Sequence, residues 1–192
     1  EVHHRVKNNL QVIQSLLRMQ GRESGSATLE PLLRESQNRI RSIALIHEQL
    51  YKQEDVSEID LANYLKLLLR QVLRTFELGN KHIASFVEFK GVYLSLTKAI
   101  PCALIVNELV TNSIKYAFHN QDSGEIRVHA EKDGDKLIMS IRDNGSGFSQ
   151  KINIDETETL GLKIVRTLTR QLGGELEMRE DQGAFFQITF EP

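Results

Sequence analysis

Hydrophobic residues recur at steps of three and four along the first part of the chain, from Val2 to about Gln20. A wholly polar stripe runs beside this apolar seam, which is the pattern of an amphipathic helix. The seam consists of His3, Val6, Leu10, Ile13 and Leu17, and the polar stripe of His4, Asn8, Gln11 and Ser15. A second periodic segment, Leu33 to Tyr51, follows the turn-forming residues 21–26. The two segments predict an antiparallel helical hairpin, whose small seam would be buried by dimerisation into a four-helix bundle.

The pattern changes across an acidic and polar stretch from Gln53 to Asp60, where we place a boundary between domains 1–53 and 54–192. Helices are predicted from a cap at Asp60 to about Phe76, from a first turn at Pro101 onward, and from Leu160 to Leu172. Strands are predicted at Ala84–Phe89, Tyr93–Leu96, Glu125–Glu131, Lys136–Arg142, Glu175–Arg179 and Phe185–Phe190. Hairpin-joined strands with helices on one face form a two-layer sandwich, so the predicted fold class is α+β.

Composition narrows the range of partners. The 192 residues are 40% hydrophobic and carry a formal net charge of -2, with a pI near 6.4. This charge gives no general attraction to nucleic acid or to an anionic membrane surface. The single cysteine, Cys102, cannot form an internal disulfide and predicts a buried thiol in a reducing compartment. Without a secretory signal or a spanning apolar run, we expect a soluble, cytoplasmic chain with no direct membrane contact, a fragment of something longer.

The segment Leu104–Phe118 carries the most informative polar residues. Its apolar positions recur at helical spacing and leave Glu108, Asn112 and Lys115 on the opposite flank. Oxygen ligands from Glu108 and Asn112 would suit Mg2+ or its waters, and the Lys115 ammonium would neutralise phosphate oxygens. A magnesium-bound polyphosphate would therefore fit this surface. A half-exposed helix with merely solvated polar residues explains the same pattern.

Two glycine-bearing segments follow. Asp143 stands at the end of a predicted strand, where its carboxylate can accept a hydrogen bond from an exocyclic amine, and Gly145 and Gly147 allow a tight turn against a flat ligand. The same residues are also typical of a plain turn. Further on, Gly161 opens a predicted helix, whose free backbone N–H groups and positive dipole end bind phosphate.

The order N-E-L-V-T-N-S-I-K-Y-A, D-N-G-S-G-F, L-G-L-K-I-V resembles the ATP-binding domain shared by histidine kinases, type II topoisomerase ATPase subunits, the Hsp90 chaperone and the MutL repair protein. The resemblance implies that the chain uses ATP and Mg2+ and that residues 149–159 form a mobile lid. It implies a magnesium ligand at Asn112, a phosphate contact at Lys115, an adenine-amine acceptor at Asp143, and nucleotide-lining positions at Tyr116, Gly145, Gly147, Gly161 and Leu162. The family usually has another glycine where this chain has Thr159.

Glu108 leaves more than one function open. In hydrolysing members of the superfamily this position, four residues before the magnesium ligand Asn112, holds the glutamate that activates water. Many histidine kinases carry asparagine there. The ATP-binding segments therefore fit a kinase or a non-kinase ATPase. A non-enzymatic nucleotide-binding dimerisation scaffold is a third alternative.

The amino-terminal residues favour the kinase. Glu1–Gln11 and Arg39–Tyr51 resemble the phosphoacceptor box of the second histidine-kinase dimerisation family, close to the group named for its His-Trp-Glu motifs. The resemblance implies a two-component sensor histidine kinase. Residues 1–53 would be the dimerisation and phosphotransfer hairpin of a homodimer, and 54–192 the catalytic ATP-binding domain. Phosphoryl transfer would run from Mg-ATP to a histidine and on to a response-regulator receiver aspartate, with a sensor module upstream of Glu1.

The helical spacing favours His4 as the phosphoacceptor, because His4 begins the polar stripe whereas His3 lies on the apolar seam. The family match also falls on His4, with Asn8 one turn further on. A neutral imidazole of ordinary pKa is available for attack at neutral pH. Many kinases place an acid beside this histidine, but here the neighbour is Arg5. Hairpin geometry places His47 and Glu48 at about the level of His4, so we hypothesise that Glu48 or Glu1 orients the ring, with His47 a bundle residue. A second hypothesis is that Glu108, from the ATP-binding domain, acts as the base. Three other histidines are predicted to be packed or solvated: His82, His119 and His129.

Overall fold

The computed structural model describes residues 9–17, 19–20, 29, 33, 36–37, 39–40, 44, 58–76, 81–148 and 159–192. By its internal contacts the chain divides into two compact units, Glu1–Val56 and Ser57–Pro192. In the first unit every described residue is helical, including 9–17 and 19–20. The predicted loop at residues 21–26 lies outside the described residues. The hairpin, the four-helix bundle and the functional division at residue 53 stay predictions.

The second unit contains helices and strands in a mixed order. Its helices are α1 (Leu61–Thr75), α2 (Leu96–Asn112), which continues into a π-helical turn (Ser113–Ala117), and α3 (Leu160–Gln171). Its strands are β1 (Ile59–Asp60), β2 (His82–Val87), β3 (Tyr93–Leu94), β4 (Ser123–Asp133), β5 (Lys136–Asp143), β6 (Glu175–Glu180) and β7 (Ala184–Phe190). The predicted α+β class is confirmed.

The main sheet has five strands in the order β2-β4-β5-β7-β6, and β1 pairs with β3 in a separate small ladder. The predicted hairpins β4–β5 and β6–β7 are both present as antiparallel pairs. The edge strand β2, by contrast, pairs with β4 in parallel. This pair is not a hairpin, because parallel neighbours need a crossover connection, which here contains β3 and α2.

Strict alternation along the central strands separates the two faces of the sheet. On β4, Ile126 and Val128 are buried, whereas His129 is exposed. On β5, Leu137 and Met139 are fully buried. The three helices cover this apolar face: α2 packs against α1, α3 and β5, while α1 also packs against β2. The core therefore lies between one sheet face and a helical layer whose central member is α2.

The start of α1 follows the sequence prediction. Asp60 is the N-cap, and its Oδ1 accepts a hydrogen bond of 3.1 Å from the backbone N–H of Asn63. The Asn63 side-chain amide donates to Asp60 Oδ2 at 2.8 Å. These bonds satisfy an N–H group that the first helical turn would otherwise leave without a partner.

The start of α2 was predicted wrongly from Pro101. The helix begins at Leu96, so Pro101 lies inside it rather than in its first turn. The backbone oxygen of Ser95 already accepts N–H bonds from Lys98 at 3.0 Å and Ala99 at 2.8 Å, which starts the helix upstream. The proline then omits one interior hydrogen bond. Its neighbour Cys102 is fully buried, and burial raises the pKa of this thiol to about 12, which confirms the predicted buried cysteine.

Candidate nucleotide-binding site

The candidate site begins where α2 changes geometry. The helix ends at Asn112, and the next residues, Ser113–Ala117, form the π-helical turn. Such single turns occur frequently at functional sites, because one extra residue per turn redirects the side chains. Lys115 is half-buried and Tyr116 is 66% exposed. The turn therefore presents side chains at the carboxyl end of the most deeply buried helix of the unit.

Asp143 lies at the end of β5 and is only 2% exposed. Its Oδ1 accepts backbone N–H bonds from Gly145 at 3.0 Å and Ala184 at 3.1 Å. Its Oδ2 accepts the hydroxyl of Ser113 at 2.6 Å. The carboxylate is thus held from three elements: its own loop, β7 and the π-helical turn. This is the environment in which a buried carboxylate keeps a fixed orientation.

The loop after Asp143 is held by hydrogen bonds to β4 and to the π-helical turn. Asn144 exchanges hydrogen bonds with Glu125, its N–H donating at 3.2 Å and its Oδ1 accepting at 2.7 Å. The Ser146 N–H donates to the Ala117 carbonyl oxygen at 3.0 Å. A methyl group at Gly145 would overlap the side chain and backbone of Ala117. A glycine is needed at 145 because the loop lies directly on the π-helical turn.

Gly147 and Phe148 fix the far end of this loop. Gly147 has a φ of 71°, and a methyl group there would lie 2.6 Å from Glu180 Oε1. The Phe148 ring meets Phe186 of β7 edge to face, with 5.7 Å between the ring centroids. The predicted lid follows, and its residues 149–158 lie outside the described part of the chain.

Gly183 contributes to the site, although sequence reasoning did not select it. It lies in the turn between β6 and β7 with a φ of 136°, and a methyl group there would overlap the Asp143 carbonyl oxygen. The run Asp181-Gln182-Gly183 between two predicted strands is a turn signal. That signal locates the turn, but it does not show that the turn packs against the strand end that carries Asp143.

Ser113 is the second residue that sequence reasoning missed. It follows Leu109 by one helical turn, is 6% exposed, and directly follows Asn112. A hydroxyl at an apolar helical position needs a hydrogen-bond partner when it is buried. That rule could have selected Ser113 from the sequence, although the identity of its partner requires the structure.

The start of helix α3 is the candidate phosphate contact. Gly161 is buried in its first turn, and Leu162 beside it is half-buried. Within the described residues, the N-cap Thr159 makes no side-chain capping bond. The first N–H groups of α3 are therefore not occupied by that side chain, which is the arrangement that favours an anion at a helix start. Because α3 packs against α2, the two elements belong to one compact unit.

The residues predicted for magnesium differ in exposure. Asn112 is half-buried, whereas Glu108 is only 4% exposed, so the two do not share an open surface. In the described part of the chain, no group of three or more His, Cys, Asp or Glu side chains forms a metal cluster. The available donors are hard oxygens, one amide and one carboxylate. They fit Mg2+ that takes its remaining ligands from phosphate and water.

The structure brings together the elements that carry the predicted nucleotide residues, namely the π-helical turn at the end of α2 and the Asp143 loop. The Ser113–Asp143 hydrogen bond and the close approach of Gly145 to Ala117 join these elements. The predicted phosphoacceptor residues lie outside the described part of the chain: His4, Asn8 and Glu48. The three histidines that were predicted to be packed or solvated are exposed: His82, His119 and His129.

Comparison with known families agrees with this geometry. The family described as histidine kinase-, DNA gyrase B-, and HSP90-like ATPase matches residues 97–192. A family described as histidine kinase matches residues 1–76. The first match covers α2, the Asp143 loop and α3, and the second covers the two predicted phosphoacceptor segments.

Among curated proteins, the sensor histidine kinase PdtaS of Mycobacterium tuberculosis is 34% identical over 182 residues, which span 94% of this chain and 36% of that protein. Blue-light-activated histidine kinase 2 of Erythrobacter litoralis is 27% identical over 183 residues, spanning 93% of this chain and 52% of that protein. The chain thus spans little more than a third of PdtaS and about half of the blue-light kinase.

Among solved structures, the histidine kinase domain from the Erythrobacter litoralis EL346 blue-light activated histidine kinase has the same fold. It matches with a TM-score of 0.69 at 24% identity, covering 100% of this chain and 89% of that chain. The catalytic domain of histidine kinase ThkA matches 72% of this chain and 97% of its own, with a TM-score of 0.55 at 17% identity.

Together these findings identify the chain as a member of the histidine kinase-, DNA gyrase B- and HSP90-like ATPase family through residues 97–192, and residues 1–76 match the histidine kinase family. The resemblance expected from the sequence motifs is confirmed. Within the described residues, no helix combines the length and apolar character that a bilayer crossing requires.

Proposed function

We propose that the chain is the catalytic core of a two-component sensor histidine kinase, which uses Mg-ATP to phosphorylate its own His4. The observation that carries the proposal is the buried Asp143 carboxylate, which is held at the junction of β5 and the π-helical turn. A buried, oriented carboxylate beside a glycine loop is suited to recognising a flat base that carries an amine.

In the proposed complex, each element contacts a different part of the nucleotide. Asp143 accepts the adenine amine, and the base lies beside Gly145, Gly147 and Tyr116. Lys115 contacts phosphate oxygens. The start of α3, at Gly161 and Leu162, binds phosphate through backbone N–H groups. Asn112, with Glu108 one turn earlier on α2, would hold Mg2+, and the bound ion would supply positive charge for the phosphates.

The proposed reaction is in-line phosphoryl transfer. A ring nitrogen of neutral His4 donates its lone pair to the γ-phosphorus, so that a P–N bond forms while the bond between phosphorus and the β,γ-bridging oxygen breaks. ADP leaves with that electron pair. The proton on the other ring nitrogen passes to a base. Catalysis consists mainly of positioning and charge neutralisation, because such transition states are loose and centred on the phosphate.

The orientation of His4 requires a partner, since Arg5 cannot accept a proton. We propose Glu48 or Glu1 for this role, with Asn8 facing the same side of the helix; Glu108 of the catalytic unit is the alternative base. If Glu48→Gln autophosphorylates as fast as the wild type, Glu48 is not the orienting group.

We further propose that the phosphoryl group passes from His4 to an aspartate of a response-regulator receiver domain. Homodimerisation through the helical hairpin and a sensor module upstream of Glu1 complete the proposed assembly, in the cytoplasm and without nucleic acid. The curated relatives with sensor histidine kinase in their names support this arrangement.

The decisive experiment is incubation with γ-labelled ATP, comparing the wild type with His4→Ala and the matched variant His3→Ala. We expect acid-labile, base-stable label in the wild type and in His3→Ala, and none in His4→Ala. Label retained by His4→Ala would refute the assignment of the phosphoacceptor, provided that all three proteins bind ATP.

A non-kinase ATPase is the second candidate, and the burial of Glu108 on α2 favours it. A shielded carboxylate one turn before Asn112 could activate a water molecule. This alternative predicts steady phosphate release without labelled protein, loss of turnover in Glu108→Gln, and no effect of His4→Ala. The same labelling experiment, with phosphate release measured in parallel, separates the two functions.

A further inference from the structure

The hydrogen bonds around Asp143 divide its two carboxylate oxygens into different roles. Oδ1 accepts from two backbone N–H groups, those of Gly145 at 3.0 Å and Ala184 at 3.1 Å. A carboxylate oxygen has two lone-pair sites, so Oδ1 is fully used. Within the described residues, Oδ2 accepts one bond, from the Ser113 hydroxyl. A ligand amine that contacts Asp143 therefore meets Oδ2, beside Ser113.

The Ser113 hydroxyl donates its hydrogen to Asp143 rather than to the helix backbone. The Ser113 Oγ lies 2.6 Å from Asp143 Oδ2 and 3.2 Å from the backbone oxygen of Leu109. The hydroxyl has one hydrogen, and the shorter, charge-assisted bond is the stronger of the two. Because Ser113 is 6% exposed and Asp143 is 2% exposed, water competes little for this contact.

We propose that Ser113 is a specificity-determining, positioning residue, which orients Asp143 Oδ2 so that the site selects a nucleotide with an exocyclic amine. This inference rests on the proposed binding of ATP. The three donors together fix the plane of the carboxylate and leave one acceptor site open. Without the hydroxyl, Oδ2 loses its fixed partner, and a water molecule that takes its place competes with the incoming amine.

The test compares two ligands that differ only in this amine. ATP and purine riboside 5′-triphosphate, which lacks the 6-amino group, are titrated with Mg2+ into the full chain, and the ratio of their dissociation constants is measured. We expect the wild type to bind ATP more tightly than the analogue. In Ser113→Ala this preference should fall about tenfold, through weaker binding of ATP alone. The affinity of the amine-free analogue should not change.

Two further variants control for folding. Thr169→Val removes another buried hydroxyl, one that donates only to a backbone oxygen one turn earlier, that of Val165 at 2.9 Å. It should keep the wild-type ratio. Ser113→Cys keeps the size of the side chain with a weaker donor, so its ratio should lie between those of the wild type and Ser113→Ala. Because the readout is a ratio of two ligands on one protein, a partly unfolded sample does not change it.

The outcomes separate this inference from the proposed function. If the wild type prefers ATP and Ser113→Ala keeps the full preference, Ser113 does not determine specificity. An equal loss of affinity for both ligands in Ser113→Ala shows a merely structural role and also overturns the inference. A wild type without any preference for ATP refutes the role of Asp143, and with it the proposed mode of ATP binding.

Discussion

At the scale of single residues, the backbone around Asp143 leaves no space for a side chain at Gly183. A methyl group there would overlap the Asp143 carbonyl oxygen, and the φ of 136° is itself unfavourable for any other residue. We expect Gly183→Ala to lower the free energy of unfolding by about 3 kcal/mol, from backbone strain and overpacking together. Chemical denaturation followed by circular dichroism measures this loss.

Gly134 provides the matched control for Gly183. It lies in the β4–β5 turn with a φ of 58°, and a methyl group there would meet nothing within 4 Å. Gly134→Ala should therefore lower the free energy of unfolding by only about 1 kcal/mol, which is the cost of placing alanine in the left-handed backbone conformation. Equal losses in the two variants would show that the contact with Asp143 is not what requires glycine at 183.

The residues that the sequence identified are those whose chemistry is local. Asp143 follows a strand with clear alternation, and Asp60 precedes a helix, so the end of each element could be predicted from neighbouring residues. Ser113 and Gly183 act on Asp143 from distant parts of the chain. Their positions in the sequence do not predict these contacts, because the contacts form only when α2, β5 and β7 pack together.

At the scale of elements, Lys81 holds the end of the π-helical turn. Its ammonium donates to the carbonyl oxygens of Phe118 at 2.6 Å and His119 at 2.9 Å, directly after the turn. A cation at the carboxyl end of a helix satisfies carbonyl groups that have no helical partner. Lys81 therefore helps to fix the segment that carries Lys115 and Tyr116.

We expect Lys81→Met to weaken ATP binding as well as to lower the free energy of unfolding by about 1 kcal/mol. Lys98→Met is the matched control, because the Lys98 ammonium also donates to a carbonyl oxygen, that of Glu191 at 2.6 Å, away from the candidate site. Calorimetric titration with Mg-ATP should detect weaker binding in Lys81→Met alone. Equal ATP affinity in both variants would contradict this role for Lys81.

The two main differences between the expected and observed elements have physical causes. Pro101 indicated a helix start, because the missing N–H costs nothing in a first turn. The additional upstream turn from Leu96 is stabilised by the Ser95 carbonyl, which a sequence pattern does not show. The parallel pair β2–β4 was not expected either, since alternation identifies a strand but not its partner.

At the scale of the whole molecule, the two units carry separate tasks in the proposed function. The second unit, Ser57–Pro192, has its own sheet, helical layer and buried core. Every predicted nucleotide residue lies within it, whereas the proposed phosphoacceptor His4 belongs to the first unit. Nucleotide binding and phosphoryl acceptance should therefore be separable by dividing the chain between residues 56 and 57.

The last prediction concerns residues 57–192 expressed alone. We expect this fragment to bind Mg-ATP as tightly as the full chain, because the contacts that hold Asp143 all lie within it. It retains His82, His119 and His129, all of which are exposed. Exposure alone does not make an acceptor, since transfer also requires in-line presentation to the γ-phosphate. After incubation with γ-labelled ATP, the fragment should carry no acid-labile label. Label on the fragment would instead show a phosphoacceptor within the catalytic unit and would contradict His4 as the sole acceptor.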